Sequence, residues 1–325
     1  MSQDRGHFKS RKGYGNYKNK NKVNVGDIGR QVAESLNENS LVIQQFRKYA
    51  AELDAKHDKY EKIVKVSRDI TIESKRIIFL LHTLDKESKR DTILSEAEKR
   101  LSSLIEVMFK KVALELEGED PYMYLRAYRA GFQEFIEALT FFWYLKDKSL
   151  HGWVKVEDSM KYTIKDLIPN STDDKKDNQE CDIDANIQES DNKSGIQESI
   201  NDTSIERQVQ VLVSPVEYIL GIADLTGELM RKCINNLATG DIDNCFETCN
   251  FVRKMYTGFL GCSGAGREVS RKLYTLKQSL TKMENVCYTI KVRGSEVPKH
   301  MLADVAVMSC TGDTSLDDDE GYQVN

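Results

Sequence analysis

The stretch SPVEYILGIADLTGELMRKCINN, residues 214–236, has the apolar period of a long amphipathic helix. Its apolar side chains recur close to every 3.6 residues, which predicts a helix with one buried face. Ser214 and Pro215 stand where an N-cap and the first helical position are expected, and Glu217 completes a predicted capping box. The same period recurs through most of the chain, so the fold class that this stretch indicates, all-α, applies to the chain as a whole.

A second stripe of the same predicted helix is acidic. Glu217, Gly221, Asp224 and Glu228 follow at intervals of four, three and four residues, so they share one face. Carboxylates stacked on a helix repel each other unless a positive charge lies between them. Gly221 costs about 1 kcal/mol relative to alanine in a helix interior and would leave room beside the acids. This combination suggests a metal ion or a basic ligand, with a solvated acidic face as the open alternative.

A further predicted helix repeats the combination of glycine and acids. In RAYRAGFQEFIEALTFFWYL, residues 126–145, Glu134 and Glu137 lie among aromatic and aliphatic side chains. Burying carboxylates there unpaired would be costly, so a cation, an arginine or an exposed cleft is expected beside them. Arg126 and Arg129 lie one or two turns upstream and could be structural partners or bind a phosphate.

The remaining segments are helical as well, and the predicted fold class is all-α. Helices are predicted over 40–84, 91–116, 121–148, 154–167, 243–260 and 267–292, with no convincing strand and with Gly240 as a C-cap. Only 4 prolines in 325 residues favour such long helices. Lys65 and Arg68 belong to a basic row that could follow a phosphate backbone, although a solvated face, with acids interleaved among the basic residues, is the commoner explanation of such a row.

Composition divides the chain into a helical domain and polar segments. Residues 1–38 predict a basic disordered tail, either a nuclear-import or nucleic-acid-attracting arm or a plain solubilising one. A single helical domain is expected over 39–305, interrupted by a disordered acidic insertion at 169–207 and followed by an acidic disordered tail at 306–325. No secretory signal and no membrane-spanning apolar run are found, and the irregularly spaced cysteines favour a reduced intracellular setting.

The two acidic helices together suggest a chemistry. Glu134, Glu137, Asp224 and Glu228 offer the carboxylate oxygens that Mg²⁺ prefers, and a bound Mg²⁺ can activate water for phosphodiester hydrolysis. No Ser–His–Asp arrangement or phosphate-binding P-loop competes with this interpretation. Spacing cannot show that the two helices face each other, so a helical scaffold, an interaction protein or a coiled-coil adaptor stays open.

Four long motifs carry a resemblance that covers roughly residues 40–305 and leaves the tails and the acidic insertion unassigned. They are HDKYEKIVKVSRDITIESKRIIFLLH (57–82), GFQEFIEALTF (131–141), VEYILGIADLTGELMRKCIN (216–235) and VSRKLYTLKQSLTKMENVCYTIKVRGSEVPKHMLADV (269–305). With these motifs the chain resembles the translin family. The resemblance implies an all-α bundle of about seven helices that assembles with translin into a hollow, closed hetero-oligomer.

The resemblance also implies a function. In that complex translin binds RNA and builds the shell, while the type of subunit that this chain resembles is a Mg²⁺-dependent endoribonuclease. It cleaves single-stranded or small RNA and degrades the nicked passenger strand when the RNA-silencing complex is activated; single-stranded DNA is a further expected ligand, and cytoplasm and nucleus are the expected locations. The catalytic acids of the family map onto Glu134, Glu137, Asp224 and Glu228, with Glu137 and Glu228 as the expected direct metal ligands. A non-catalytic nucleic-acid-binding or scaffold partner of translin is the alternative.

Overall fold

The computed structural model describes residues 29–32, 40–84, 87–167, 204–294, 296 and 301. Residues 29–32 are helical, and beyond them the described residues form eight α-helices and one two-stranded sheet. The all-α fold class is confirmed. The helices are α1 (Leu41–His82), α2 (Arg90–Ser103), α3 (Lys110–Glu115), α4 (Pro121–Asp147), α5 (Trp153–Ser159), α6 (Pro215–Thr239), α7 (Ile242–Leu260) and α8 (Arg267–Arg293).

The number of helices agrees with the predicted seven because α2 and α3 form one continuous helical segment. A π-helical turn, Leu104–Phe109, joins them where a single helix over 91–116 is predicted. Short 3-10 turns, Glu87–Lys89 and Ser263–Ala265, precede α2 and α8.

Two units divide the chain, Met1–Asp58 and Lys59–Asn325. In the first unit, residues 41–58 are helical and expose apolar side chains such as Leu41, Phe46 and Leu53. The second unit contains the hydrophobic core and all the candidate site residues. The single domain predicted over 39–305 stays a prediction.

The helix α4 is the centre of the second unit's core. Every residue from Ala138 to Leu145 is buried, as expected for a helix that is apolar on all sides. The helix begins where Asp120 caps it by accepting from the Tyr122 backbone N–H at 3.0 Å, with Pro121 at the first helical position. It packs most extensively on α6, which in turn packs on α7 and α8.

The ends of α6 confirm one predicted cap and correct another. Gly240 adopts a left-handed conformation with φ of 79°, and the Asp241 N–H bonds the Asn236 carbonyl at 2.8 Å, as in a glycine-based helix stop. The predicted capping box is wrong. Ser214 makes no side-chain capping bond, and Glu217 is buried and turned to α4 instead.

The prediction that the chain has no strand is also wrong. The predicted helix 154–167 ends at Ser159, and β1 (Lys161–Leu167) pairs antiparallel with β2 (Ser204–Gln210). Residues 161–165 alternate between exposed and partly buried positions, which is the period of a half-buried strand. Tyr162 anchors the sheet by donating its hydroxyl to the Ile105 carbonyl at 2.8 Å.

Parts of the predicted disordered segments fall on ordered elements. Residues 204–207, assigned to the insertion, belong to β2, and residues 29–32, assigned to the N-terminal tail, are helical. The rest of 1–38 and of 169–207, and all of 306–325, lie outside the described residues. In the part of the chain that the structure describes, no helix combines the length and apolar character required to cross a membrane.

Candidate functional site

Gly221 brings the two acidic helices together. A Cβ at this position would lie 2.7 Å from Ile136 Cβ and 2.8 Å from the Gln133 carbonyl oxygen, both on α4. The sequence context of Gly221 suggests that it leaves room for a ligand. The structure shows instead that α4 occupies this space. Because Gly221 has no side chain, the backbone of α6 can approach α4 next to the acidic motifs.

A second glycine joins α4 to α1 in the same way. A Cβ on Gly131 would lie 2.6 Å from the Ser67 carbonyl oxygen, and its N–H donates to Ser67 Oγ at 3.2 Å. The two contacts hold α1, α4 and α6 close together, and the candidate acids lie on the last two of these helices.

Each of three candidate acids contacts a cationic or ionisable side chain on another helix. Lys75 Nζ on α1 lies 3.7 Å from Glu134 Oε2, and Lys272 Nζ on α8 hydrogen-bonds Asp224 Oδ1. His82 at the end of α1 hydrogen-bonds Glu228 through Nε2. Four helices therefore meet at the acids, although the sequence motifs point to only two.

Glu228 is held by two neighbours. Burial opposes its ionisation, but the His82 hydrogen bond together with the charges of His82 and Arg231 lowers the pKa of Glu228 below its usual value. Arg231 Nη1 lies 3.5 Å from its Oε2. The other ring nitrogen of His82, Nδ1, is buried with no hydrogen-bond partner among the described residues, while the ring packs 4.8 Å from the Phe141 ring.

Glu137 experiences the combined negative charge of the cluster. Burial and the nearby carboxylates of Glu134, Asp224 and Glu228 raise the pKa of Glu137 to about 8. Burial similarly raises the pKa of Glu134, against the opposing effect of Lys75. All four predicted acids are thus close enough to influence one another, and the negative charge is least compensated at Glu137.

The acid cluster fits a hard divalent cation by its chemistry. Its four side chains are carboxylates, the ligands that Mg²⁺ prefers. Burial and, after it, the three neighbouring carboxylates raise the pKa of Glu137, and a cation bound there would offset both effects. Three of the four side chains, those of Glu134, Asp224 and Glu228, are nevertheless turned to protein partners. No group of three or more histidine, cysteine, aspartate or glutamate side chains within the described ranges is arranged to hold a metal ion.

The remaining acid of the α6 stripe, Glu217, belongs to a separate network. It accepts a hydrogen bond from Gln133 and lies 3.3 Å from Arg129 Nε, and Arg129 also pairs with Glu268 on α8. The hydrogen bond to Glu268 raises the pKa of Arg129 by more than burial lowers it. Arg129, a candidate for nucleic-acid binding, thus serves as a link between α4, α6 and α8.

The other three nucleic-acid candidates are exposed. Lys65 and Arg68 lie on α1 and Arg126 on α4, none of them with an ion-pair partner among the described residues. Arg68 precedes Lys75 by two helical turns, which places both on the same face of α1. The assignment of these three residues to nucleic-acid binding stays a prediction.

Lys75, His82 and Lys272 are the site residues that the sequence alone did not single out. Lys75 and His82 are seven residues apart on α1, a spacing that places both on one face and could have identified them as a pair. Lys272 has no such signal, because its contact with Asp224 depends on how α8 packs against α6.

Comparisons with known proteins give the chain its relatives. Residues 58–294 match the Translin family. The chain is 43% identical to Translin-associated protein X of Pongo abelii over 91% of this chain and 94% of that protein. It is 40% identical to Translin-associated protein X of Rattus norvegicus, again over 91% of this chain and 94% of that protein. The crystal structure of apo-NeC3PO matches with a TM-score of 0.49 and 18% identity, over 77% of this chain and 96% of that one.

Proposed function

The chain belongs to the translin family, and we propose that it is the catalytic subunit of a hetero-oligomer with translin, a Mg²⁺-dependent endoribonuclease that cleaves single-stranded or small RNA. Glu137 and Glu228 would hold the metal, with Glu134 and Asp224 as further ligands or as groups that orient the attacking water. Mg²⁺, when bound, supplies an activated water and stabilises negative charge on a phosphoryl oxygen.

The observation that carries this proposal is that the close approach of α4 and α6 at Gly221 gathers four carboxylates from the two helices around Glu137. Four carboxylates from two helices influence one another, and burial raises the pKa of Glu137 to about 8 together with the charges of the other three. A protein that only binds RNA has no need to collect acids around a partly buried position, since they repel phosphates. A bound divalent cation would account for the arrangement, because it would offset the repulsion among the carboxylates and attract phosphates.

The chain's own side chains would then have separate tasks. Lys75, His82 and Lys272 orient the acids in the absence of metal, and the two lysines are also placed to attract a phosphodiester to the cluster. The names of the relatives motivate translin as the partner. Degradation of the nicked passenger strand in RNA silencing, binding of single-stranded DNA, and location in cytoplasm and nucleus remain part of the proposal, by family resemblance.

Substitution of the proposed metal ligands tests the function. The full chain is co-expressed with translin, and cleavage of single-stranded RNA is measured in Mg²⁺ and in EDTA. We expect Glu137→Ala or Glu228→Ala to lower the rate by about 10²- to 10³-fold, as loss of a residue that stabilises charge in the transition state does. Assembly with translin and RNA binding in EDTA are expected to stay unchanged.

Glu98→Ala serves as the matched control, because Glu98 is an exposed acid on α2 whose ion pair, within the described part of the chain, is with Lys146. Wild-type rates in Glu137→Ala or Glu228→Ala would refute the site assignment. Cleavage that persists in EDTA would refute the metal.

The alternative is a non-catalytic nucleic-acid-binding or scaffold partner of translin. The observation in its favour is that three of the four acids contact protein side chains and that no metal-binding group is assembled among the described residues. A wild-type complex that assembles and binds RNA but does not cleave it in Mg²⁺ would establish this alternative.

A further inference from the structure

A shallow groove lies along α1 beside the acid cluster, with a volume of about 460 Å³. Phe79 is the most unusual of its residues, because 73% of this large apolar side chain is exposed. Lys75 at the edge of the groove contacts Glu134, so the groove opens directly next to the candidate catalytic acids. Its lining residues are Lys75, Arg76, Phe79, Leu80, Thr83 and Arg100.

The helical period places Phe79 between the acid cluster and a basic rim, which is formed by Arg76 and Arg100. Lys75 and His82, which contact Glu134 and Glu228, lie seven residues apart on one side of α1. Arg76 and Thr83, also seven apart, lie about a quarter turn further around the helix, and Phe79 projects between the two pairs. A ligand on the Phe79 ring would therefore have the acids on one side and the basic rim on the other.

The charge of the groove suits a phosphate-bearing ligand. Arg76 and Arg100 share a single acid, Glu73, at 3.5 and 2.6 Å, so the rim keeps a positive excess. Arg68 lies on the same face of α1 as Lys75 and continues the basic surface toward the N-terminus of the helix. A surface that only docked an apolar protein segment would have no use for this ring of cations around an aromatic side chain.

We propose that Phe79 and the basic groove around it form a nucleotide subsite, in which one base of a single-stranded RNA stacks on the Phe79 ring while its phosphates meet the arginines of the rim. This inference rests on the proposed function and adds to it the surface that positions the strand. Stacking on an aromatic side chain accepts any base, since every base has a π-face. Such a subsite would hold the strand beside the acids without demanding a particular sequence.

The test uses the full chain co-purified with translin and a short oligoadenylate as the probe. Phe79→Ala removes the ring, Phe79→Leu keeps an apolar side chain without a π-face, and Phe79→Trp keeps the π-face and adds a fluorescent reporter. Tyr288→Ala is the matched control, because Tyr288 is an aromatic residue on α8 with 70% exposure that does not line the groove. Cleavage in Mg²⁺ gives KM and kcat. Because the chain already contains Trp143 and Trp153, the fluorescence change of Phe79→Trp in EDTA in excess of the wild-type change reports binding at position 79.

We expect Phe79→Ala and Phe79→Leu to raise KM about tenfold with kcat changed less than about twofold, the size that loss of one base stack produces. Phe79→Trp should restore KM, and oligoadenylate should quench its fluorescence beyond any change in the wild-type complex. Tyr288→Ala should behave as the wild type.

Three results would overturn the subsite: an unchanged KM in Phe79→Ala, a wild-type KM in Phe79→Leu, or an unquenched tryptophan. Failure of Phe79→Ala to co-purify with translin would also overturn it, because the groove would then be a protein interface. If the wild-type complex does not cleave RNA, the proposed function fails, and quenching of the tryptophan in EDTA still decides the subsite.

Discussion

Glu137 is a partly buried carboxylic acid surrounded by three further carboxylates, and this makes the stability of the metal-free chain depend on pH. Its pKa is about 8 in the folded chain against 4.5 for the free group. Between these values the folded chain binds more protons than the unfolded one, so this group's contribution to stability falls as pH rises through that window. Acid pH therefore favours the metal-free fold at this position.

Replacing Glu137 by glutamine removes that pH dependence. We expect Glu137→Gln to match the wild type near pH 5 and to melt a few degrees higher at pH above about 8, where 1 kcal/mol moves Tm by about 2–4 °C. Mg²⁺ should raise the Tm of the wild type at the alkaline pH and leave the variant nearly unchanged. Thermal unfolding in EDTA and in Mg²⁺ measures both effects, with exposed Glu98→Gln as control. A variant that is less stable than the wild type at alkaline pH would contradict the charge argument.

Gly221 tests whether the close approach of α4 and α6 matters. An alanine Cβ there would lie 2.7–2.8 Å from Ile136 and the Gln133 carbonyl, so the helices must move apart. We expect Gly221→Ala to cost about 1–3 kcal/mol, as overpacking does, and to impair cleavage. Gly227→Ala on the same helix is the control. Its Cβ meets no atom within 4 Å, so helix propensity should stabilise the chain by about 0.5–1 kcal/mol.

At the level of elements, Arg129 connects α4 with α6 and α8 through Glu217 and Glu268. Arg129→Met would leave Glu217 buried with only Gln133 as a hydrogen-bond partner. Because Arg129 itself is partly exposed, we expect a loss of about 2 kcal/mol and not the full cost of an isolated buried charge. Chemical denaturation measures this loss.

Arg126 on the same helix provides the comparison. Arg126→Met removes an exposed arginine and is expected to leave stability within about 0.5 kcal/mol. Weaker RNA binding by this variant alone would support the proposed nucleic-acid role of Arg126. Equal destabilisation by the two variants would show that the network around Glu217 is not what holds the three helices together.

At the level of the whole molecule, the sheet makes the segment between its strands replaceable. Leu167 pairs with Ser204, so the ends of the segment 168–203 lie side by side. A two-residue Asn-Gly turn should therefore join β1 to β2 directly. Shorter loop closure is expected to stabilise the chain by about 2 kcal/mol, with assembly with translin unchanged.

The boundary of that deletion matters. A deletion of 171–205, which extends two residues into β2, would remove Ser204 and Ile205 and leave the end of β1 unpaired. Replacement of 168–203 by the turn keeps every pair of the sheet. Pull-down with translin and denaturation of both variants distinguish them. Loss of the complex on replacement of 168–203 would show that the segment takes part in assembly.

The sequence by itself determined the helices. An apolar period of three to four residues is a local signal, and in this chain it continues over long stretches. The motifs of the sequence also predicted the family, whose membership is confirmed. The catalytic role that the same motifs assign to Glu134, Glu137, Asp224 and Glu228 stays a prediction. The strands were missed because each is a single short alternation near a polar segment. The role of Gly221 was misjudged because a missing Cβ looks the same in sequence whether it admits a ligand or another helix.

Only the tertiary structure decided which side chains the acids meet. Lys75 and His82 from α1 and Lys272 from α8 contact the cluster. Glu217 pairs instead with Arg129 on α4. These contacts join residues far apart along the chain, so they depend on how helices pack. Periodicity specifies which face a residue occupies, but the partner of that face is set by close packing, here by two glycines that allow three backbones to approach.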